Sequence, residues 1–244
     1  MNLSLELMLL GIFTLIYIVI ALFVGIRIIT RYFQIKNKTL LYAGIGLIGI
    51  AFPWSGVVLN FISIIIFEKI PPMELHFFLH GGMSAIFLFF WLMAILNLTG
   101  MESGKREKLL ICLGIVAFIV EIMYLGIIFY DTEILGALIN EIQVDYAPFN
   151  QLYLLTELII IIISGLWLTT KSLKSDDSRI QLKGKLLLSA FILFPIASSL
   201  EVLVPLIPII ILARILIIFT EILLYGGLIL PKWMERLFSR KEDI

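Results

Sequence analysis

With 244 residues, 61% of them hydrophobic and 15% charged, and a mean hydropathy of +1.11, the chain is far more apolar than the roughly 45–50% usual for soluble domains. That balance excludes a water-soluble enzyme, and a formal net charge of zero offers no basic excess for nucleic acid. The single cysteine, Cys112, leaves no partner for an internal disulfide.

The composition predicts an all-α, polytopic membrane protein, and the length allows seven helical crossings of about 20 residues. In chain order the spans are Leu5 to Ile26, Thr39 to Phe67, Leu75 to Leu98, Leu109 to Tyr130, Pro148 to Thr170, Leu186 to Leu206 and Ile207 to Leu230. The charge-free run from Leu7 to Ile26 exceeds the h-region of a cleaved signal peptide, so it is read as a retained first span. Pro205 and Pro208 are expected to form the tight turn between the last two spans. The domain reading is then a seven-helix transmembrane domain over residues 1–230 and an amphipathic cytoplasmic tail helix over 231–244.

Basic residues alternate between loops. Sixteen of the 18 follow spans one, three, five and seven, leaving Lys69 on the opposite side and Arg214 within a span. The positive-inside rule places the N-terminus outside and the C-terminus in the cytoplasm of a multi-pass protein of the cell membrane. The formal charge partitions into about −6 outside, +9 inside and −3 within the spans. Glu121, Glu157, Glu201 and Glu221 lie inside spans four to seven. A span with about fifteen Leu, Ile, Val or Phe gains roughly 5–9 kcal/mol on insertion, so one acid per helix is tolerated.

Between spans four and five, DTEILGALINEIQVDYA carries Ile134, Leu135, Leu138, Ile139 and Ile142 at helical spacing behind Asp131 or Thr132 as a cap. A short amphipathic helix over the outer mouth is expected. At the other end, PKWMERLFSRKEDI sets Trp233, Met234, Leu237 and Phe238 opposite Lys232, Glu235, Arg236 and Arg240. It resembles the surface helix that follows the seventh span of G-protein-coupled receptors, and physically it implies a tail on an anionic leaflet. Spans two and six both carry Phe-Pro (Phe52-Pro53 and Phe194-Pro195), with Asn60 and Glu201 six or seven positions on. This faint repeat resembles the parallel three-plus-one-plus-three arrangement of SWEET sugar carriers.

Candidate binding residues fall into two groups. His76 and His80, at i and i+4 near the outer end of span three, could hold a metal with Glu157 or Glu201 as a further ligand. Such histidine sets resemble those of ceramidase-type intramembrane hydrolases. They could equally be hydrogen-bonded histidines at an interface, so the metal stays unknown. The second group is Arg214 with Glu157, Glu201, Glu221 and Glu121. Arg214 and Glu221 are seven residues apart, close to two turns, and share one helix face. Intramembrane ionisable groups are functional candidates, here for ligand binding; the alternative is an ion-pair network, Arg214 to Glu201 or Glu221, that sets helix register.

Absences narrow the field. No span contains a lysine for a retinal Schiff base, span three lacks Asp-Arg-Tyr, span seven lacks Asn-Pro-x-x-Tyr, and no phosphate loop or nucleophile elbow occurs. No catalytic residue and no cofactor is expected. The run SLKSDDSRIQLKGKLLL and the close LPKWMERLF resemble a group of uncharacterised archaeal seven-helix membrane proteins. That resemblance implies seven helices with the N-terminus outside and no catalytic residue.

The reading is a receptor-like protein binding a small or lipidic ligand in an outward-facing polar cavity of Arg214, Glu157, Glu201 and the histidines, and signalling to a separate cytoplasmic protein. The alternatives are a small solute carrier, proton-coupled through Glu121 and Glu221, and a metal-dependent intramembrane hydrolase. Expected partners are the lipid bilayer, that ligand and that protein, with no nucleic acid.

Overall fold

The computed structural model describes residues 3–203 and 206–238, with the side chains of residues 201–203 outside the description. A chain this apolar has no water to satisfy its backbone within a bilayer, so it must hydrogen-bond internally, and helices do that segment by segment. Among the described residues the long helices are α1 (Leu5–Ile35), α2 (Lys38–Ala51), α3 (Ser55–Phe67), α4 (Met73–Gly81), α5 (Ser84–Leu98), α6 (Ser103–Tyr130), α7 (Pro148–Leu173), α8 (Ser178–Leu203) and α9 (Ile207–Ile229). With α2–α3 and α4–α5 each counted as one interrupted helix, seven are long and apolar enough to cross a membrane. The chain is thus built as a multi-pass membrane protein.

Several helices outrun the apolar runs that predict them. α1 continues from Ile26 to Ile35, α6 begins at Ser103 rather than Leu109, and α8 begins at Ser178 rather than Leu186. Helical hydrogen bonding does not stop where hydrocarbon does, and Lys and Arg stems can extend from the added turns into water. Local caps set these ends: Ser4 Oγ accepts from the Leu7 N–H at 3.3 Å, Asn37 Oδ1 from Thr39 at 3.0 Å, and Asp177 Oδ1 from Arg179 at 2.8 Å. Pro148 and Pro208 open α7 and α9, where the missing N–H costs nothing. Pro205 lies outside the described residues.

α1, α2, α5, α7, α8 and α9 pack in that order into a closed ring, with α9 returning onto α1. α6 leans on α4 and α5 from outside the ring, and its most apolar window is only 17% buried, against 33% to 50% elsewhere. Small residues bring backbones together. A Cβ on Gly46 would lie 2.8 Å from Trp91 Cα, and one on Gly44 would lie 2.7 Å from the Gly25 carbonyl. Trp91, fully buried, donates its Nε1–H to Ser164 Oγ at 3.0 Å and so ties α5 to α7.

The two ends of the bundle differ. At the basic end, Lys183 Nζ donates to the Leu228 carbonyl at 3.2 Å, and Lys171 Nζ to that of Thr99. The tail helix α10 (Lys232–Phe238) is held there by Arg179, which meets Glu235 through two contacts of 2.7 and 3.1 Å. Met234 turns inward against Leu186 and Leu230, while Trp233, Leu237 and Phe238 stay exposed, so the four apolar residues do not share one surface. Arg240 lies outside the described residues.

At the other end, the connection from α6 to α7 is a hairpin and not the expected amphipathic helix. A 3-10 turn (Thr132–Ile134), capped by Asp131 Oδ1 on the Glu133 N–H at 2.9 Å, leads into β1 (Gly136–Leu138) and antiparallel β2 (Val144–Tyr146). Two residues decide this. Gly136 adopts φ +150°, where a Cβ would lie 2.4 Å from the Asp145 carbonyl. Asn140 Oδ1 accepts from the Ile142 and Gln143 N–H groups at 3.1 and 2.9 Å, taking amides that a helix would need. Leu135 and Ile142 become fully buried, whereas Ile139 is 64% exposed. Ile142 sits against Leu7, Leu10, Phe61, Ile64 and Ile210, which makes the hairpin a roof on the bundle.

Candidate functional site

Two of the crossing helices break beneath that roof. Between α2 and α3, Phe52–Trp54 winds as a 3-10 turn, because Pro53 has no N–H to continue the ladder. Between α4 and α5, Gly82 and Met83 interrupt the helix. The breaks are joined by His80, whose Nδ1 lies 2.5 Å from the Pro53 carbonyl. A carbonyl only accepts, so Nδ1 carries the proton. Tyr146 of the hairpin stacks on the His80 ring at 4.4 Å, with its hydroxyl 3.2 Å from the same Nδ1. His76 Nδ1 meets Asn60 Oδ1 at 3.2 Å, and the two imidazoles stack 6.0 Å apart. The histidines therefore bond Asn60, Pro53 and Tyr146, and both are buried. Among the described residues no three of His, Cys, Asp and Glu are grouped to hold a metal, so Glu157 does not join the histidines as a third ligand.

Arg214 reaches the roof from α9. It is 1% exposed, donates Nε–H to Thr14 Oγ1 of α1 at 3.2 Å, and places its guanidinium 5.3 Å from the centre of the Trp54 ring. Thr14 is itself oriented by donating to the Leu10 carbonyl at 2.8 Å. Trp54 is held edge-on between Tyr17 and Phe194. Arg214 lines a cavity of about 50 Å³ with Leu10, Val57 and Ile210 below and Gln143, Val144 and Tyr146 of the hairpin above. A guanidinium has five N–H donors in a fixed fork, so it can serve its neighbours and still face that cavity. The space suits one or two waters.

The acids fall elsewhere. Glu121 of α6 is 4% exposed, and its Oε2 accepts from the Ile86 N–H at 3.4 Å, at the N-terminus of α5 exposed by the helix break. Glu157 of α7 is hydrogen-bonded to Tyr153 and Ser84. Tyr153 donates to the Gly81 carbonyl at 3.4 Å, and Tyr124 to Asn150 Oδ1 at 3.1 Å, the two tyrosine rings being 4.7 Å apart. Glu121 Oε1 is buried with no hydrogen-bond partner among the described residues. Glu221 is fully buried in α9, and neither of its carboxyl oxygens has such a partner, so the Arg214–Glu221 pair of the alternative ion-pair network does not form. The side chain of Glu201 lies outside the description.

The residues expected at an outer pocket (Arg214, Glu157 and the histidines) and the deeper acid Glu121 are found in separate places. Arg214 lies under the hairpin; His76 and His80 bridge the two broken helices; Glu121 meets the start of α5, and Glu157 is hydrogen-bonded to Ser84 and Tyr153. Glu221 stands apart, and no packed surface joins α6 to α9, so Glu121 and Glu221 are not neighbours. Tyr146 links the first place to the second. Thr14, Tyr124, Asn150, Tyr153 and Tyr146 went unnoticed in the sequence, although polar side chains within apolar runs are a signal worth reading at these depths. Compared with known proteins, the sequence matches no protein-family model and no curated protein.

Proposed function

We propose that the chain is a receptor-like protein of the cell membrane that binds a small polar or lipidic ligand between Arg214 and the hairpin. The hairpin end faces outward and the basic end faces the cytoplasm, as the distribution of lysine and arginine favours. The observation that carries this reading is the cavity itself. A buried guanidinium lies at its wall and its ceiling is a hairpin held largely by side chains, Ile142 and Tyr146 among them. At about 50 Å³ it is a closed form, and a ligand larger than a few atoms enters only when the hairpin lifts. Lifting it withdraws Tyr146 from His80, which holds the breaks in spans two and three together. Binding thereby acts on two helices that run to the basic end, where a separate cytoplasmic protein reads the change. The resemblance of the loop and tail to uncharacterised archaeal seven-helix proteins, which implies seven helices with the N-terminus outside, is in keeping with this reading.

The test is mass spectrometry of what leaves the denatured protein after purification in native lipid. A metabolite or lipid present in stoichiometric amount in the wild type, and lost in Arg214→Ala while the variant stays folded, supports the reading. Equal recovery from both variants counts against it. A second reading, a small solute carrier, draws on Glu221, an acid inside the ring with no hydrogen-bond partner among the described residues. Solute uptake into proteoliposomes that disappears in Glu221→Gln would place the carrier first.

A further inference from the structure

We propose that the groove between α5 and α6 is a binding site for one anionic phospholipid, whose acyl chain lies along α6 and whose headgroup meets Arg106 and Lys108 at the basic end. The site lies outside the helix ring, is separate from the cavity at Arg214 and does not depend on it. The groove measures about 440 Å³ and is lined by Phe89 of α5 and by Leu110, Ile111, Gly114, Ile115 and Phe118 of α6. Those α6 residues recur at i, i+1, i+4, i+5 and i+8, one face over two turns, so the groove follows the helix axis for about 12 Å. A spanning helix is tilted by only about 20° from the bilayer normal, so this is also the direction of the lipid chains. Gly114 opens the groove, for a Cβ at this position would meet nothing closer than the Phe89 ring at 3.4 Å. Ile111, Ile115 and Phe118 are all exposed, which leaves the groove open to the surrounding lipid.

Charge at one end of the groove selects the lipid. Lys108 stands three residues before Ile111 and seven before Ile115, and Arg106 four before Leu110, so both continue the lining face toward the basic end. Side chains on a helix lean toward its N-terminus, which for α6 is that end, so both cations extend to headgroup depth. Two acids share this end. Glu102 is taken by Lys105 at 3.1 Å, which leaves Glu107 against Arg106 and Lys108. Lys171, whose Nζ donates to the Thr99 carbonyl at the end of α5, adds a third cation beside the turn into α6. The balance is positive where a headgroup phosphate would lie. A protein helix does not fit the space. About 440 Å³ over about 12 Å is a cross-section of roughly 37 Å², under half the roughly 80 Å² of a helix 10 Å across, and it admits an extended chain. A second copy related by two-fold symmetry in the same membrane would also set basic end against basic end.

Native mass spectrometry of the full chain, released from nanodiscs of mixed phosphatidylglycerol and phosphatidylcholine, reads the site. The wild type is expected to retain one phosphatidylglycerol in preference to phosphatidylcholine. Gly114→Leu, which fills the groove from a position with space around it, should lose the retained lipid. Arg106→Gln and Lys108→Gln should each lower the preference about fivefold, while Lys108→Arg keeps it. Lys108 is exposed, so its variants test the headgroup contact without touching the packing. Lys69→Gln, at the opposite end of the bundle, should change nothing. The proposal fails if the wild type holds both lipids equally, since the groove then meets only bulk lipid, or if Gly114→Leu and Lys108→Gln retain as much phosphatidylglycerol as the wild type. It also fails if the wild type is a dimer that Gly114→Leu separates, because the occupant is then a second copy. Recovery of a ligand at Arg214 is measured on other variants, so each reading can fail by itself.

Discussion

Phe52-Pro53 in span two and Phe194-Pro195 in span six are the same dipeptide with different outcomes. At Pro53 the helix breaks into a 3-10 turn, whereas α8 runs through Pro195 without interruption. The two lie close together, for the Trp54 and Phe194 rings are 6.4 Å apart, so both are deep in the bundle. What differs is the company each keeps. Pro53 has the His80 imidazole waiting for its carbonyl, and Trp54 has the Arg214 guanidinium over its ring. Around Pro195, Phe194 and Ala197 are buried in close apolar packing between α7 and α9. Proline removes one donor in each case, and a polar side chain from a neighbouring helix decides whether the backbone leaves the helical path.

The largest effect is expected where spans two and three touch backbone to backbone. Gly46→Val should cost about 3 kcal/mol, because the added Cβ meets Trp91 main-chain atoms that cannot move aside. Gly227→Ala between spans six and seven should cost less, since its nearest obstacle is the Leu187 side chain. Reversible unfolding in mixed detergent would rank the two.

Next, His80→Ala should destabilise by about 2 kcal/mol, by orphaning the Pro53 carbonyl and removing the Tyr146 stack. Hydrogen exchange at the hairpin amides should quicken in that variant and stay unchanged in Pro195→Ala. Equal exchange in both would mean that His80 does not hold the roof. Trp91→Phe, which removes the bond to Ser164 but keeps most of the ring, should cost about 1 kcal/mol and leave hairpin exchange untouched. The smallest effect belongs to the basic end. Arg179→Ala breaks the pair with Glu235, and with the arginine 64% exposed the loss should stay under about 1 kcal/mol and shrink in high salt.

The hairpin shows where sequence reasoning met its limit. Ile134, Leu135, Leu138, Ile139 and Ile142 do carry a helical period, and the position over the mouth of the bundle is as expected. The period competes with Gly136 and Asn140, each of which supplies a local alternative to helical backbone. Likewise all four acids and Arg214 could be picked out as costly residues in apolar runs, because that cost belongs to the residue and its depth. Their grouping could not. Glu121 reaches the start of α5 only because α6 leans on the break between α4 and α5, while Arg214 and Glu221 share a helix face yet do not bond to one another.

By itself, then, the sequence determined the number of crossings and the alternation of basic loops, because both follow from runs of apolar residues and from charges that hydrocarbon rejects. Tertiary structure alone decided which helices break, what roofs the bundle and which polar groups face each other. Those outcomes depend on partners supplied by other helices: His80 for the Pro53 carbonyl, the start of α5 for Glu121, and Tyr146 for His80. In a membrane every such group must find its partner within the protein, and the choice of partner is made by packing.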